Sequence, residues 1–246
     1  MILFAKLFRP DRAVLAPVNT SKRSDDQIQA IAFDMDGLLF NTEQLYPRVL
    51  DEVLRRRGKR YTEELVAQMM GRPGHIALKI MIDFHGLKDS IETLADECEV
   101  LFLQILEVDA AMMPGALDLI NRVEAAGIPK AIATSSGRKY LDWLLGRFDL
   151  TKRFDFFLTA ESVKQGKPHP EIYLTAAERH GVHPGRMVVL EDSQNGLRAA
   201  VAAGAKAIAV PGDHSKHHDF AGAQFVADTL RDERIAQLLG LMPRSA

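Results

Sequence analysis

Short runs of apolar residues recur along the chain, and longer stretches with apolar residues at helical spacing separate them. Strands that helices cover on both faces lack polar alternation, so runs of this kind are typical of a buried parallel sheet. Strand and helix alternating in this way predict an α/β doubly wound fold. The predicted strands are residues 28–33, 130–134, 156–158, 187–190 and 206–210.

One part of the chain breaks this alternation. After the first predicted strand, apolar residues recur only at helical spacing, for example at Leu45, Val49 and Val53, and glycines punctuate the segment. The pattern predicts an inserted α-helical bundle of four helices. Further along, Pro114 is expected in the first turn of a helix that ends at Gly127. The expected organisation is an extension at 1–27, a core at 28–43 and 111–246, and an insertion at 44–110.

Composition narrows the classes of function. The chain has 246 residues, 47% of them hydrophobic and 26% charged, which is ordinary for a globular protein. A formal net charge of −2 disfavours a general nucleic-acid binder. No apolar run approaches the roughly 20 residues that span a bilayer, so no membrane partner is expected. Cys98 is the single cysteine, so the chain forms no internal disulfide, and we expect a small buried side chain there.

The first 27 residues are basic and only partly apolar. Lys6, Arg9 and Arg12 interrupt the apolar positions, so the segment lacks the continuous core of a secretory signal. We expect a loosely attached extension on a cytoplasmic protein, and an organelle transit peptide stays open as the alternative. A monomer or weak homodimer is expected.

Two carboxylates stand where the first strand ends. The stretch AIAFDMDGLLFNTE, residues 30–43, carries Asp34 and Asp36, and Gly37 then permits a sharp turn. In open α/β sheets, ligands bind outside the carboxyl ends of the strands. The pair alone suits a calcium loop or a plain turn as well as a working site.

Polar side chains also follow the other predicted strands. Thr134 and Ser135 open a helix, and hydroxyls with free N–H groups at a helix start bind anions. Lys167 stands in a proline-rich loop, and Glu191 and Asp192 end the fourth strand. Together with the aspartate of the first strand, this last pair forms a set of oxygen ligands suited to Mg²⁺. The inventory suits a phosphoryl group held beside a divalent ion.

Four motifs carry a family resemblance. FDMDGLL, ATSSG, GKPHPEIY and LEDSQNG, in this order, resemble the motifs of the haloacid dehalogenase superfamily over residues 28–230. The insertion after the first motif resembles members with a small α-helical cap. Within the superfamily, the chain most resembles the β-phosphoglucomutase-like branch, which includes pseudouridine-5′-phosphatase.

The resemblance implies a role for each motif. Asp34 would be the nucleophile that forms an aspartyl-phosphate, and Asp36 the acid and then the base. Thr134 and the backbone N–H of Ser135 would bind the phosphoryl oxygens, while Lys167 would neutralise their charge. A Mg²⁺ cofactor is implied, with its ligands from the Asp34 carboxylate, the Asp36 backbone carbonyl, Glu191 and Asp192.

The resemblance also orders the candidate activities. The acidic residue at Asp36 argues against dehalogenases and phosphonoacetaldehyde hydrolases, which lack it. Related mutases carry a histidine where this chain has Tyr46, so we expect a Mg²⁺-dependent phosphatase acting on a sugar phosphate or nucleoside monophosphate. Tyr46, Arg72 and His75 are the expected substrate contacts from the insertion. A sugar-phosphate mutase and a non-catalytic module that binds phosphorylated ligands remain the alternatives.

Two charged segments are given structural interpretations. RRRGKR, residues 55–60, is predicted as a solvated helix end rather than a polyanion site. HSKHHD, residues 214–219, is predicted as an exposed loop near the rim of the crevice rather than a transition-metal site.

Overall fold

The structure, a computed structural model, describes residues 27–69, 72 and 74–241. The chain divides into two compact units. The inserted unit is Asn41–Ala111, where the sequence interpretation had limits of 44 and 110. The described part of the core unit comprises residues 27–40 and 112–241. The predicted extension at 1–27 lies outside the described residues, except for Gln27.

The core unit contains one parallel sheet of five strands in the order β3-β2-β1-β4-β5. The doubly wound α/β prediction is therefore confirmed. The chain adds β2 and β3 on one side of β1 and then crosses to add β4 and β5 on the other. The carboxyl ends of β1, β2 and β4 thus surround a topological switch point, where such folds bind ligands. The strands are β1 (Ala30–Phe33), β2 (Lys130–Ala133), β3 (Phe156–Leu158), β4 (Met187–Glu191) and β5 (Lys206–Ala209).

Helices make up most of the remaining described chain. In the inserted unit they are α1 (Thr42–Arg55), α2 (Glu63–Met69), α3 (Gly74–His85) and α4 (Ile91–Asp109), so the four predicted helices are present. In the core unit they are α5 (Ala116–Ala125), α6 (Arg138–Arg147), α7 (Glu171–His180), α8 (Gln194–Ala202) and α9 (Glu233–Leu239). Within the described residues, no helix combines the length and apolar character needed to cross a bilayer.

Side chains alternate between the two faces of a strand, and both sets in β1 are buried. Ala30 and Ala32 belong to a cluster that includes side chains of α7 and α8. Ile31 and Phe33 point to the opposite face and are also fully buried. Both faces of the strand are therefore covered, which explains why the strand sequence shows no polar alternation.

The start of α5 differs from the prediction. Pro114 was expected in the first helical turn, but the helix begins at Ala116 and Gly115 precedes it with a φ of 88°. A Cβ on Gly115 would lie 2.9 Å from the backbone nitrogen of Arg231. The left-handed backbone and the close neighbouring chain both require glycine here, and this turn delays the helix.

Ion pairs engage the three arginines that begin the basic run of the inserted unit. Arg57 donates to carboxylate oxygens of Asp89 at 2.8 Å and Glu97 at 2.7 Å. The two preceding arginines both pair with Glu52. The guanidinium groups at the end of α1 are thus paired with carboxylates of the same unit, which favours the structural interpretation of residues 55–60.

The core unit closes on itself where the insertion leaves it. Phe40 and Met112 form an antiparallel bridge, and the Met113 backbone N–H donates to the Leu39 carbonyl at 2.8 Å. The two chain ends of the core therefore meet as a short two-stranded ladder.

Candidate active site

Five polar side chains are gathered at the carboxyl ends of β1, β2 and β4. Asp34 and Thr134 directly follow β1 and β2, and Glu191 and Asp192 end and follow β4. The Asp34 backbone N–H donates to the carbonyl of Leu190 at 3.0 Å, which holds the end of β1 against β4. All four polar residues named here are at most 4% exposed, as is Asp36. Burial of so many polar groups requires that each has partners.

Lys167 reaches into this cluster from the loop before α7. Its ammonium donates to Asp34 Oδ1 at 2.6 Å, to Glu191 Oε1 at 2.6 Å and to the carbonyl oxygen of Ala133 at 2.9 Å. A lysine ammonium has three N–H donors, so all three are used. The loop lysine therefore joins the ends of all three central strands.

The Glu191 carboxylate is held from several sides. Besides Lys167, the Tyr173 hydroxyl donates to Oε1 and the Ser193 hydroxyl donates to Oε2 at 3.1 Å. A Cβ at Gly196 would lie 2.0 Å from the same carboxyl group. The first turn of α8 therefore packs directly on Glu191, and only glycine leaves room at that position.

The acidic residues fit a divalent cation. Asp34, Glu191 and Asp192 each offer one oxygen, and these atoms all lie within 4.8 Å of one another. Carboxylate oxygens are the ligands that Mg²⁺ prefers. Among the described residues, the Lys167 ammonium contacts two of these three buried carboxylates, and a bound cation would add positive charge beside all three. The donor set and its charge therefore fit Mg²⁺.

Burial and charge shift the pKa values of this cluster. Burial raises the pKa of Asp34 well above its usual value; the Lys167 ammonium opposes this rise, and the Glu191 and Asp192 carboxylates add to it. Burial alone would lower the pKa of Lys167, but the carboxylates of Asp34 and Glu191 outweigh it and the pKa rises. The ammonium therefore stays charged beside the carboxylates.

The Asp36 side chain turns to a different set of partners. Ser136 Oγ donates to Asp36 Oδ2 at 2.6 Å, and Thr134 Oγ1 donates to the same oxygen at 3.2 Å. The Tyr140 hydroxyl donates to Oδ1 at 3.1 Å. One carboxylate of the DxD pair thus contacts an ammonium, while the other contacts only neutral hydroxyls among these bonds. Such contrasting surroundings suit two carboxylates with different chemical roles.

The anion site predicted at the start of α6 has fewer available backbone N–H donors than the sequence suggests. The Ser136 backbone N–H donates to Thr134 Oγ1 at 3.0 Å, and the Arg138 backbone N–H donates to Glu161 Oε1 at 3.2 Å. These two groups are engaged within the protein. Thr134, Ser135 and Lys167 line a cavity of about 180 Å³, together with residues of the 160–166 loop and Ile172.

His214 corrects the interpretation of the histidine-rich loop. Its Nε2 lies 2.6 Å from Asp192 Oδ2, and its side chain is 21% exposed. Cβ atoms at Gly37 and Gly212 would each lie 2.9 Å from this imidazole ring. The predicted position of the loop near the crevice fits this contact with a carboxylate of the site, but the prediction of exposure is wrong at His214. No motif spacing signalled this contact.

The three residues proposed as substrate contacts lie in the inserted unit. Tyr46 stacks on Phe102 with ring centroids 4.7 Å apart. Arg72 and His75 are both exposed, the latter in the first turn of α3. Their part in binding stays a prediction.

Comparisons with known proteins agree with this geometry. A family profile described as "Haloacid dehalogenase-like hydrolase" matches residues 31–210. The chain is 38% identical over 185 residues to "Phosphorylated carbohydrates phosphatase" of Thermotoga maritima, covering 74% of this chain and 84% of that protein. It is 34% identical over 206 residues to "Probable pseudouridine-5′-phosphatase" of Drosophila melanogaster, covering 81% of this chain and 89% of that protein.

A solved structure shows the same likeness in three dimensions. The crystal structure of a "putative beta-phosphoglucomutase from Thermotoga maritima" superposes with a TM-score of 0.74 at 33% identity. The match covers 86% of this chain and 96% of that one. The two sequence relatives described above are thus named as phosphatases, whereas this structural relative is named as a putative mutase.

Proposed function

Because the chain belongs to the haloacid dehalogenase-like hydrolase family and is a phosphoric monoester hydrolase, we propose that it releases phosphate from a small phosphorylated metabolite in a Mg²⁺-dependent reaction. The substrate class is a sugar phosphate or a nucleoside monophosphate. One observation carries the proposal: Asp34 and Asp36 lie two residues apart, yet one contacts the Lys167 ammonium and the other a set of hydroxyls.

Asp34 is the proposed nucleophile. A carboxylate oxygen attacks phosphorus, an O–P bond forms, and the bond from phosphorus to the leaving oxygen breaks. Lys167 holds Oδ1 at 2.6 Å, so it both orients the carboxylate and offsets negative charge as the phosphoryl group approaches. The product of this step is an aspartyl-phosphate on Asp34.

Asp36 is the proposed acid and base. In the first step its carboxyl proton passes to the leaving oxygen, so that an alcohol departs rather than an alkoxide. In the second step Asp36 accepts a proton from the water that attacks phosphorus, and the bond to Asp34 breaks. Inorganic phosphate is released and both carboxyl groups return to their starting states.

The phosphoryl oxygens are proposed to bind the Thr134 hydroxyl, the Ser135 backbone N–H and Lys167, with Thr134 and Lys167 each exchanging one present hydrogen bond for the substrate. Thr134, Ser135 and Lys167 line one cavity, and the Lys167 ammonium lies 2.6 Å from Asp34 Oδ1, which supports that assignment. A bound Mg²⁺ would supply positive charge that reduces the repulsion between a phosphate ester and the acidic cluster. Asp34, Glu191 and Asp192 would hold it, with the proposed addition of the Asp36 backbone carbonyl.

The substrate is proposed to contact the inserted unit through Tyr46, Arg72 and His75. The names of the relatives support a small phosphorylated compound, since one is a phosphatase of phosphorylated carbohydrates and another a probable phosphatase of a nucleoside phosphate. The likeness to a putative β-phosphoglucomutase keeps a mutase as the second candidate.

A substrate panel tests the proposal. We would assay phosphate release from p-nitrophenyl phosphate, hexose phosphates and nucleoside monophosphates, with Mg²⁺ or with EDTA. Asp34→Asn should abolish turnover, and Asp96→Asn is the matched control, because Asp96 is exposed on α4. EDTA should abolish turnover in the wild type and in the control.

Other results would replace the proposal. Conversion of one hexose phosphate into an isomer without free phosphate would identify a mutase. Binding of phosphorylated compounds without turnover of any substrate would leave a non-catalytic module.

A further inference from the structure

A tyrosine on α6 contacts the proposed acid–base residue. The hydroxyl of Tyr140 donates to Asp36 Oδ1 at 3.1 Å, across 104 residues of sequence. Tyr140 is 8% exposed, so this contact is largely shielded from water. Neither the four motifs nor the mechanism above uses this residue.

The hydroxyl partners of Asp36 are divided between its two oxygens. Ser136 and Thr134 donate to Oδ2, whereas Tyr140 donates to Oδ1. Rotation of the carboxyl group would break donors on both oxygens at once. The two sets of donors therefore fix the plane of the carboxyl group, and only the Tyr140 bond restrains Oδ1 among them.

These hydrogen bonds to Asp36 strengthen as the first step of the reaction proceeds. A hydroxyl that donates to a carboxyl oxygen interacts more strongly when that group carries negative charge. In the first step Asp36 becomes negative as its proton leaves for the departing oxygen. An interaction that strengthens as this charge develops lowers the barrier, because it stabilises the transition state more than the ground state.

We propose that Tyr140 is a positioning residue for the acid–base step of the reaction. Its hydroxyl holds Oδ1 so that the Asp36 proton is directed at the leaving oxygen, and it stabilises the carboxylate that results. The inference rests on the proposed function, in which Asp36 protonates the leaving group.

The acidity of the leaving group separates this role from a structural one. Phenyl phosphate and p-nitrophenyl phosphate have similar shapes, but p-nitrophenolate departs with far less need of a proton. Loss of a group that positions the acid should therefore harm phenyl phosphate turnover more. A general loss of structure would harm both substrates alike.

The experiment compares Tyr140→Phe with the wild type on both substrates in the presence of Mg²⁺. The phenylalanine keeps the ring and removes only the hydroxyl. We expect kcat/KM, which reports the step in which the leaving group departs, to fall about tenfold for phenyl phosphate, a part of the 10²–10⁴ that general acids contribute. For p-nitrophenyl phosphate we expect a fall of less than about threefold. Tyr61→Phe, which removes a hydroxyl from the inserted unit, is the matched control and should change neither.

A second variant tests the inference if Tyr140→Phe fails to fold. Ser136→Ala removes the 2.6 Å donor to Oδ2 and should show the same preference for loss on phenyl phosphate. Thermal unfolding would show whether each variant is folded. Equal losses on the two substrates in folded variants, or no loss in Tyr140→Phe, would overturn the inference.

Failure of the inference differs from failure of the proposed function. If the wild type hydrolyses p-nitrophenyl phosphate and Asp34→Asn does not, the phosphatase stands whatever Tyr140→Phe does. If the folded wild type hydrolyses neither aryl phosphate nor any metabolite of the panel, the function fails and the inference falls with it.

Discussion

Lys167 Nζ lies 2.6 Å from Asp34 Oδ1, although 133 residues separate the two in the chain. The two side chains are only 5% and 6% exposed, so the pair is nearly withdrawn from water. A buried pair of this kind adds little net stability, but removal of one partner leaves the other charge uncompensated. The pair is therefore vulnerable to single substitutions.

Lys167→Met should abolish the positive charge beside the nucleophile. We expect kcat/KM for p-nitrophenyl phosphate to fall at least about 100-fold, as for the loss of a charge-stabilising group. In EDTA the free energy of unfolding should fall by about 3 kcal/mol, because Asp34 and Glu191 remain buried without a counter-ion. Urea unfolding measures the latter. Lys152→Met, at an exposed lysine, should change neither quantity, and an active Lys167→Met enzyme would refute the role of Lys167.

Gly37→Ala should damage the site beyond its effect on the turn. Gly37 has a φ of 80°, and a Cβ there would lie 2.3 Å from Asp192 Oδ2. Gly127 has a φ of 62° with nothing within 4 Å of its Cβ, so Gly127→Ala carries only the backbone strain. Both variants should lose roughly 1–2 kcal/mol of stability from the left-handed backbone. Only Gly37→Ala should lose most of its phosphatase activity. Equal activities in the two variants would contradict a steric clash between the new Cβ and Asp192.

Mg²⁺ should stabilise the folded protein. A ligand that binds only the native state at 100 times its Kd adds about 2.7 kcal/mol, which thermal unfolding with MgCl₂ or EDTA would detect. Asp192→Asn should reduce this Mg²⁺-dependent rise in Tm, whereas Asp96→Asn should retain it. An unchanged rise in Asp192→Asn would remove Asp192 from the ligand set.

His180 should make stability fall in mild acid. It is fully buried against Phe156, and burial, with a smaller effect of Arg179, lowers its pKa from 6.5 to about 4. Between pH 4 and 6.5, His180 binds a proton in the unfolded chain but not in the folded protein. Stability is therefore lost as the pH falls from 6.5 to 4. The loss should reach about 3 kcal/mol, at about 1.4 kcal/mol per pH unit.

Urea unfolding of His180→Leu and the wild type across this pH range tests the effect. The variant should lose less stability on acidification than the wild type does. His217→Gln, at an exposed histidine, should follow the wild type. Parallel curves for His180→Leu and the wild type would show that His180 does not carry the dependence.

Cys98 should be unreactive in the native protein. It is 8% exposed, and burial raises its pKa to about 12. The thiolate is the reactive form, so at pH 8 we expect labelling by a thiol reagent to be at least about 100-fold slower than in urea. Equal labelling rates with and without urea would contradict the buried site.

The sequence was sufficient for most of the fold. The ends of β2 and β4 differ from prediction by a single residue each, since uniformly apolar strands are bounded by polar side chains at the sheet edge. The start of α5 was wrong, because the close backbone of Arg231 that Gly115 accommodates belongs to tertiary structure. Local sequence patterns contain no information about contacts between residues that are far apart in the chain.

The site was predictable only in part. Asp34 and Lys167 could be proposed as neighbours, because strand ends of a parallel sheet meet at one edge. Tyr140, Tyr173 and His214 could not, because each contacts a carboxylate through a side-chain direction set by helix or loop packing. Tyr173 ends the GKPHPEIY motif and His214 begins the HSKHHD loop, but neither sequence position predicts which carboxylate the side chain contacts.

The ladder at Phe40 and Met112 has a consequence for protein engineering. Because the insertion leaves and re-enters the core at a single paired point, its length and sequence are uncoupled from the order of the strands. The inserted unit is in this sense an exchangeable cassette. A short β-turn between Phe40 and Met112 would preserve the strand order and register of the sheet. A helical segment from another protein would do the same.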